Sequence, residues 1–173
     1  MDKVSDGLNQ PNDKKLNLLF LNRLEDDKGI NELIQTARKL NNQKDLLNIH
    51  IIGKGQYSET VKLIAEELDV IQYHGHIPHS EITSFYKKCD VFISLNKLGN
   101  ISNTVLEAIN HGLEIVTFKK DEKLIKDLDT YDFLKDSAIY IDRNRIEIEL
   151  YETIIMLITN RTENQKNQLE SQR

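Results

Sequence analysis

Short apolar runs alternate with amphipathic segments along most of this 173-residue chain, and this alternation limits the folds that it can adopt. The runs have the length of buried strands, and the segments between them repeat apolar residues at helical spacing. Successive strand–helix units predict an α/β fold with a single parallel sheet of about six strands. Right-handed crossovers then make the sheet doubly wound and Rossmann-like. The predicted strands are 16–21, 49–52, 71–73, 91–95, 115–118 and 138–141.

Several helix boundaries also follow from the sequence. We expect Ser80 to cap the third helix, and Gly112 to end a helix over about 104–111. A weaker helix signal passes through 124–128, and the last helix uses apolar residues from Ile146 to Ile158. The predicted domain spans 16–160, between a polar leader or linker at 1–15 and a polar tail at 161–173.

Composition excludes several classes of protein. The net charge of −5, from 23 basic and 28 acidic residues, argues against a nucleic-acid partner that binds through bulk charge. The single cysteine excludes an internal disulfide framework and any cysteine-rich zinc site. The first 15 residues lack the apolar segment of a signal peptide, and no apolar run is long enough to span a bilayer. We therefore expect a soluble, cytoplasmic domain.

Ligands of doubly wound sheets bind outside the carboxyl ends of the strands, so the loops at those ends are the candidate sites. Neither the phosphate-binding pattern of P-loop NTPases nor a G-x-G-x-x-G after the first strand is present. These absences argue against ordinary NTPases and dinucleotide oxidoreductases. The candidate loops are 22–29, 53–56, 74–79, 96–104 and 119–122.

The loop after the first strand carries two cations, Arg23 and Lys28. An arginine offers a planar fork that suits phosphate oxygens, and a lysine offers a mobile point charge. The same loop contains Glu25, Asp26 and Asp27. On spacing alone, a neutralised and solvated turn is the favoured interpretation, with phosphate binding as the alternative.

Loop 96–104 is rich in Gly, Asn and Ser and runs directly into a helix, an arrangement that favours an anion at the helix start. Glu107 follows Thr104 by three residues, which is the spacing of a capping box. Alternatively, the Glu107 carboxylate accepts two hydroxyls of a sugar or ribose. The residues leave both interpretations open.

His74, His76 and His79 form a pattern that superficially resembles a metal site. No carboxylate lies close in sequence, so a plain loop is the favoured interpretation and no metal is expected. Cys89 falls on the apolar face of its helix, together with Tyr86, and this position predicts a buried, inert thiol.

Five stretches, taken in order, resemble the C-terminal domain of the GT-B retaining glycosyltransferases of family 4. The clearest is Asn-Thr-Val-Leu-Glu-Ala-Ile-Asn-His-Gly-Leu-Glu-Ile-Val at 103–116, which is similar to the family's x-x-V-L-E-A-M-A-x-G-x-P-V-V. The resemblance covers about 16–160. The other four stretches are Leu-Phe-Leu-Asn-Arg-Leu-x3-Lys-Gly at 19–29, Ile-Ile-Gly-Lys-Gly at 51–55, Tyr-His-Gly-His-Ile-Pro at 73–78 and Cys-Asp-Val-Phe-Ile-Ser-Leu at 89–95.

The resemblance implies the C-terminal half of a GT-B fold, which binds the nucleoside-diphosphate sugar donor. The catalytic role that it implies for Arg23 and Lys28 is to hold the donor's diphosphate and stabilise the leaving group. It also implies that Glu107 binds the ribose hydroxyls of the nucleotide. It also implies that the main chain at Ile77 lies near the base. The nucleotide sugar is the substrate, and no cofactor or metal is implied. The residues expected near the diphosphate and sugar are Gly99, Asn100, Ser102, Asn103 and Thr104.

The chain departs from the family pattern at several positions. Gly99 stands where the first glutamate of the family's Glu-x7-Glu pair contacts the sugar. Asn22 replaces a glycine, Glu114 replaces a proline, and 118–121 lacks the usual Gly-Gly. These departures favour an alternative, a non-catalytic nucleotide-binding or assembly module derived from the same fold. A nucleotide-sugar epimerase of the same architecture is a more remote alternative.

The leading interpretation is the donor-binding domain of a retaining glycosyltransferase that transfers a hexose to a polysaccharide or glycolipid acceptor. The resemblance implies an N-terminal acceptor domain as partner, in cis or in trans, and contact with a membrane only indirectly through that domain. We expect the 173-residue chain to show little or no transfer by itself.

Overall fold

The structure is a computed structural model that describes residues 15–99, 101–121, 134 and 137–171. These residues form one six-stranded sheet in the order β3-β2-β1-β4-β5-β6, and every neighbouring pair of strands is parallel. The elements are β1 (Leu16–Leu21), α1 (Ile30–Leu40), β2 (Leu47–Ile52), α2 (Ser58–Glu67), β3 (Ile71–Gly75), α3 (His79–Lys88), β4 (Val91–Ser94), α4 (Asn103–Asn110), β5 (Glu114–Phe118), β6 (Ala138–Ile141) and α5 (Ile146–Ser171).

Strand β1 shows why the chain needs helices on both faces of the sheet. Leu18 and Phe20 are buried in one apolar cluster, which includes residues of α1, α2 and α5. Leu19 and Leu21 are buried in a second cluster, with residues of α3 and α4. Because successive side chains of a strand point to opposite faces, a continuous apolar run requires cover on both. The predicted doubly wound, Rossmann-like sheet is confirmed.

The strand order reverses between β1 and β4, which are neighbours in the sheet although two strands separate them in sequence. This reversal is the switch point where doubly wound sheets bind ligands. The loops that follow β1 and β4 flank it on either side. These loops carry Arg23 and Lys28 on one side and Gly99 and Ser102 on the other.

Most element bounds lie close to the predicted ones, and β1 and β6 coincide with them. The prediction that Ser80 caps the third helix is wrong. Helix α3 begins at His79, and its N-cap residue is Pro78 with an extended backbone (φ −60°, ψ 147°). Proline has φ fixed near this value and no N–H to satisfy, so the chain turns into the helix two residues earlier than the serine signal indicates.

Helix α5 extends to Ser171 and so continues past residue 161, where the polar tail is predicted to begin. In this helix the guanidinium of Arg161 lies 2.8 Å from Asp90 Oδ1. Most side chains of the helix beyond Arg161 are exposed. The weaker helix predicted through 124–128 lies outside the described residues. Among the helices that the structure describes, none combines the length and the apolar character needed to cross a membrane.

Candidate functional site

The loops after β1 and β2 are joined by backbone hydrogen bonds at the carboxyl edge of the sheet. Asn22 N donates to Ile52 O over 3.1 Å, and Leu24 N donates to Lys54 O over 2.9 Å. Gly53 has φ +144°, and a Cβ on it would lie 1.8 Å from Asn22 O. Only glycine lets the two loops approach this closely, so the Gly-Lys-Gly stretch fixes the position of the loop that carries Arg23.

A cavity of about 290 Å³ lies between the carboxyl ends of β1, β2 and β3. Its walls are mostly apolar, and Arg23, Lys54 and His76 add polar groups. A larger groove of about 460 Å³ lies at the opposite edge, beside α5 and Asp90, and contains none of the predicted site residues. We take the smaller cavity as the candidate site because parallel sheets bind ligands at their carboxyl edge. Its lining is Leu21, Asn22, Arg23, Ile52, Gly53, Lys54, His76, Ile77 and Ile82.

Arg23 is exposed beside this cavity. Its backbone N–H donates to Asn22 Oδ1 over 3.0 Å, but within the described ranges its guanidinium has neither a hydrogen bond nor an ion pair. The planar fork of donors is therefore available to an anion that enters the cavity.

The three acids of this loop make their described hydrogen bonds and ion pairs with groups other than the Arg23 guanidinium. Glu25 Oε1 accepts from Gln56 N over 3.3 Å, and Asp26 Oδ1 accepts from Asn31 Nδ2 over 3.0 Å. Asp27 pairs with Lys28. Asp27 and Lys28 therefore neutralise each other, while the Arg23 guanidinium is left without a direct partner among the described residues.

The side chain of Lys28 is held in place by its neighbours, unlike the mobile lysine that the sequence predicts. Its side chain is 12% exposed, and its Nζ lies 2.8 Å from Asp27 Oδ2 and 3.4 Å from Asn96 Oδ1. The hydrogen bond from Lys28, helped by the positive charges of Lys28 and Arg23, lowers the pKa of Asp27 although burial acts in the opposite direction. An ammonium group has three donors, so one remains for a ligand in this conformation.

The loop after β4 is fixed by its neighbours on both sides. Lys97 N donates to Asp27 O over 2.8 Å, its Nζ lies 2.7 Å from Glu32 Oε1, and Arg143 donates to its carbonyl oxygen. Gly99 has φ +79°, a conformation that a glutamate at this position would adopt only under strain. Asn100, another predicted site residue, lies outside the described residues.

Helix α4 starts at Asn103 with Ser102 as its N-cap residue, and no side chain of the described residues caps its first turn. The hydroxyls of Ser102 and Thr104 are hydrogen-bonded to each other over 2.6 Å. The proposed capping box of Thr104 and Glu107 is wrong because Thr104 lies inside the helix. The uncapped first turn leaves backbone donors for an anion.

Glu107 lies between α4 and α3, with its side chain 39% exposed. Its Oε2 accepts a hydrogen bond from the Tyr86 hydroxyl over 3.1 Å, and its Oε1 lies 3.6 Å from His79 Nε2. His79 follows Ile77, a wall of the cavity, by two residues. The carboxylate is thus presented near the same end of α3 as the cavity, and it retains free acceptor positions.

The three histidines of the metal-like pattern have different neighbours. His74 Nε2 lies 3.0 Å from His50 Nδ1, His76 lines the cavity, and His79 faces Glu107. Where the structure describes the chain, it holds no group of three or more side chains arranged for a metal ion.

Cys89 is buried as predicted, and burial raises its pKa to about 12.

Sequence reasoning did not single out three residues that shape this site: Tyr86, Asn96 and Lys97. The spacing of Tyr86 predicts only a position on the apolar face of its helix. Its hydroxyl contact with Glu107 spans 21 residues, and no local pattern encodes a contact at that separation. Asn96 and Lys97 fall in a predicted loop, and their partners in the loop after β1 and in α1 become visible only in three dimensions.

Comparison with known proteins gives one curated relative and many similar structures. A glycosyltransferase of unassigned function from Haemophilus influenzae is 26% identical over 144 residues, which are 83% of this chain and 39% of that protein. The chain therefore spans about two fifths of the length of this relative.

Two similar structures are single domains of about this size. The catalytic domain of cholesterol-α-glucosyltransferase from Helicobacter pylori is 21% identical with a TM-score of 0.64, over 90% of this chain and 96% of that one. The C-terminal domain of a group 1 glycosyl transferase from Francisella tularensis is 17% identical with a TM-score of 0.64, over 83% of this chain and 75% of that one.

A third structure, the pneumococcal O-GlcNAc transferase in complex with UDP and GlcNAc, is 22% identical with a TM-score of 0.58, over 91% of this chain and 30% of that one. These likenesses concern the fold, which is that of the C-terminal domain of GT-B glycosyltransferases. The family model "Glycosyl transferases group 1" matches residues 5–168. Because this match covers nearly the whole chain, the protein belongs to the group 1 glycosyltransferases.

Proposed function

We propose that this chain is the donor-binding domain of a retaining glycosyltransferase that transfers a hexose from a nucleoside-diphosphate sugar to a polysaccharide or glycolipid acceptor. The observation that carries the proposal is the unpaired, exposed guanidinium of Arg23 beside a mostly apolar cavity that has Ile77 in its wall. An apolar cleft beside a cation suits a ligand with a flat base at one end and phosphates at the other.

In this proposal the base occupies the cavity near Ile77, and the Glu107 carboxylate accepts the ribose hydroxyls. The diphosphate lies between Arg23, the remaining donor of Lys28 and the first turn of α4. Backbone groups of Ser102, Asn103 and Thr104 supply further donors to the phosphates. The sugar lies near Gly99.

The proposed chemistry needs positive charge where the leaving group forms. Breaking the bond between the sugar and the diphosphate leaves the electron pair, and therefore a negative charge, on the phosphate oxygen. A guanidinium and an ammonium placed beside that oxygen stabilise the charge more in the transition state than in the ground state, and so they accelerate the reaction. The proposed reaction uses no cofactor or metal besides the nucleotide sugar.

A second domain that binds the acceptor, in cis or in trans, is part of the proposal. The length of the Haemophilus influenzae relative, of which this chain spans 39%, leaves room for such a domain. The complex of the pneumococcal transferase with UDP and GlcNAc supports a nucleotide sugar as donor. We propose that the reaction takes place in the cytoplasm, and that any membrane contact is made through the acceptor domain.

A second candidate function is a non-catalytic nucleotide-binding module. The conformation of Gly99 favours it, because the positive φ at this position excludes an unstrained glutamate where the family's sugar-binding carboxylate would stand. Nucleotide binding with no sugar-dependent gain in affinity would favour this module, whereas tighter binding of one nucleotide sugar than of its free diphosphate would favour the transferase.

Isothermal titration with UDP, GDP and ADP tests the shared part of both candidates. We expect at least one of them to bind, and Arg23→Ala to weaken that binding by roughly 1.5–3 kcal/mol, or about 10- to 150-fold in Kd. Arg38→Ala is the matched control. Arg38, in the last turn of α1, is also an exposed arginine, but it pairs with Glu67. Equal affinity of the Arg23 variant and the unaltered protein would contradict the phosphate role.

A further inference from the structure

We propose that Tyr86 is a positioning residue that orients the Glu107 carboxylate for the nucleotide ribose. This inference rests on the proposed function, in which Glu107 binds the ribose. It adds a residue that touches neither the phosphates nor the base and acts only through the carboxylate.

The Tyr86 hydroxyl occupies a fixed position between two helices. The side chain is 2% exposed, and its ring packs at 5.1 Å from the ring of His111 and 6.4 Å from that of Phe92. Its Oη lies 3.1 Å from Glu107 Oε2 and 3.3 Å from Thr104 O. A buried aromatic ring has few alternative rotamers, so the oxygen at its tip is a rigid reference point beside α4.

The orientation of the Glu107 carboxylate depends on Tyr86 because few other contacts fix this side chain. Its side chain is 39% exposed, and its other described contact, at 3.6 Å, is to His79, which is 81% exposed. A contact between two exposed side chains at this distance contributes little and allows rotation. A glutamate side chain also loses considerable rotamer entropy when it is fixed, so a partner that fixes it beforehand improves binding of its ligand.

The chemistry of the contact leaves the carboxylate free to bind. Each carboxylate oxygen has two acceptor positions, and Tyr86 uses one position on Oε2. The remaining positions on the two oxygens can accept from a pair of neighbouring hydroxyls. Burial and the nearby Glu107 charge raise the pKa of Tyr86, so the hydroxyl keeps its proton and remains a donor.

Isothermal titration of Tyr86→Phe tests the proposal, with UDP, GDP and ADP each measured beside its 2′,3′-dideoxy analogue. We expect the variant to bind the ribose form about three- to tenfold more weakly, because the carboxylate must then be immobilised on binding, and the dideoxy form within twofold of the unaltered protein. In a Glu107→Ala background, which removes the acceptor of the Tyr86 hydroxyl, the same change is expected to add nothing further. Tyr151→Phe is the matched control, because Tyr151 packs on the other face of the sheet, in α5.

The possible outcomes separate this inference from the proposed function. If Glu107→Gln weakens binding and Tyr86→Phe does not, the positioning role is overturned and the proposed function stands. Equal weakening of ribose and dideoxy forms by Tyr86→Phe would also overturn it, because a general loss of structure affects both. If no nucleoside diphosphate binds, or Glu107→Gln binds unchanged, the proposed function itself fails.

A second variant keeps the test valid if Tyr86→Phe lowers the melting temperature. Glu107→Asp retains Tyr86 and the negative charge but withdraws the carboxylate from the tyrosine hydroxyl by one methylene group. We expect it to lose the preference for ribose over dideoxyribose. Full retention of that preference would overturn the proposal.

Discussion

Gly29 and Gly112 have nearly the same left-handed backbone but different surroundings. Gly29, at φ +77°, is packed so that a Cβ would lie 2.3 Å from Leu95 Cβ, whereas Gly112, at φ +80°, has open space within 4 Å. We predict that Gly112→Ala costs about 1–2 kcal/mol of unfolding free energy from backbone strain alone. Gly29→Ala should cost roughly 1–3 kcal/mol more, because Leu95 must also move. Urea unfolding measures both, and equal losses would show that the contact with Leu95 is unimportant.

The Cys89 thiol gives a prediction about pH. Burial raises its pKa from the ordinary 9.0 to about 12. Between these values the unfolded chain releases a proton that the folded chain keeps, so this contribution to stability is complete below pH 9 and is lost as the pH rises toward 12. Between pH 9 and 11 the unfolding free energy of the unaltered protein should therefore fall more steeply than that of Cys89→Ala. The two slopes should differ by at most about 1.4 kcal/mol per pH unit. Identical slopes in urea melts of the two proteins would contradict this.

The two cations of the first loop show what residue-level patterns can predict. The sequence indicates that Arg23 and Lys28 share a loop at a strand end, and the structure agrees. It does not indicate that Lys28 is largely buried and tied to Asp27 and Asn96 while Arg23 is unpaired among the described residues. That difference depends on Asn96, which is 68 residues away from Lys28, and on how the two loops pack.

At the scale of elements, periodicity predicted the strands and helices well because each has its own apolar pattern. Boundaries were predicted less well where the pattern does not determine them. At α3 the N-cap residue is Pro78, two residues before the predicted cap at Ser80. At α5 the apolar stripe ends near Ile158, but the helix continues through polar residues to Ser171. The ion pair of Arg161 with Asp90, 71 residues apart, holds the helix beyond its apolar stripe.

Truncations of α5 test this explanation. A chain that ends after Gln165 keeps the pair between Arg161 and Asp90, and we expect it to unfold within about 0.5 kcal/mol of the full chain, as for changes at exposed positions. A chain that ends after Asn160 loses the pair, and we expect a loss of about 1–3 kcal/mol, because the partly buried Asp90 carboxylate loses a charged partner. Chemical unfolding measures both, and equal stability of the two truncations would contradict the role of Arg161.

At the scale of the whole molecule, the topology assembles the candidate site from distant segments. Parallel strands bring every strand–helix loop to one edge, and this much follows from the alternation of strands and helices in the sequence. The sequence does not determine how the loops interlock there. The close approach of Gly53 to Asn22, and the hydroxyl of Tyr86 on Glu107, depend on the final packing of separate strand–helix units.

The central claim is that a nucleoside diphosphate binds at the carboxyl edge between Arg23 and Glu107. The most direct test is the change in backbone amide NMR signals when UDP, GDP or ADP is added to the labelled chain. We predict that the signals of Arg23, Lys54, Ile77 and the first turn of α4 shift together, with one affinity. Shifts confined to the opposite edge, around Asp90 and the groove beside α5, would contradict the claim.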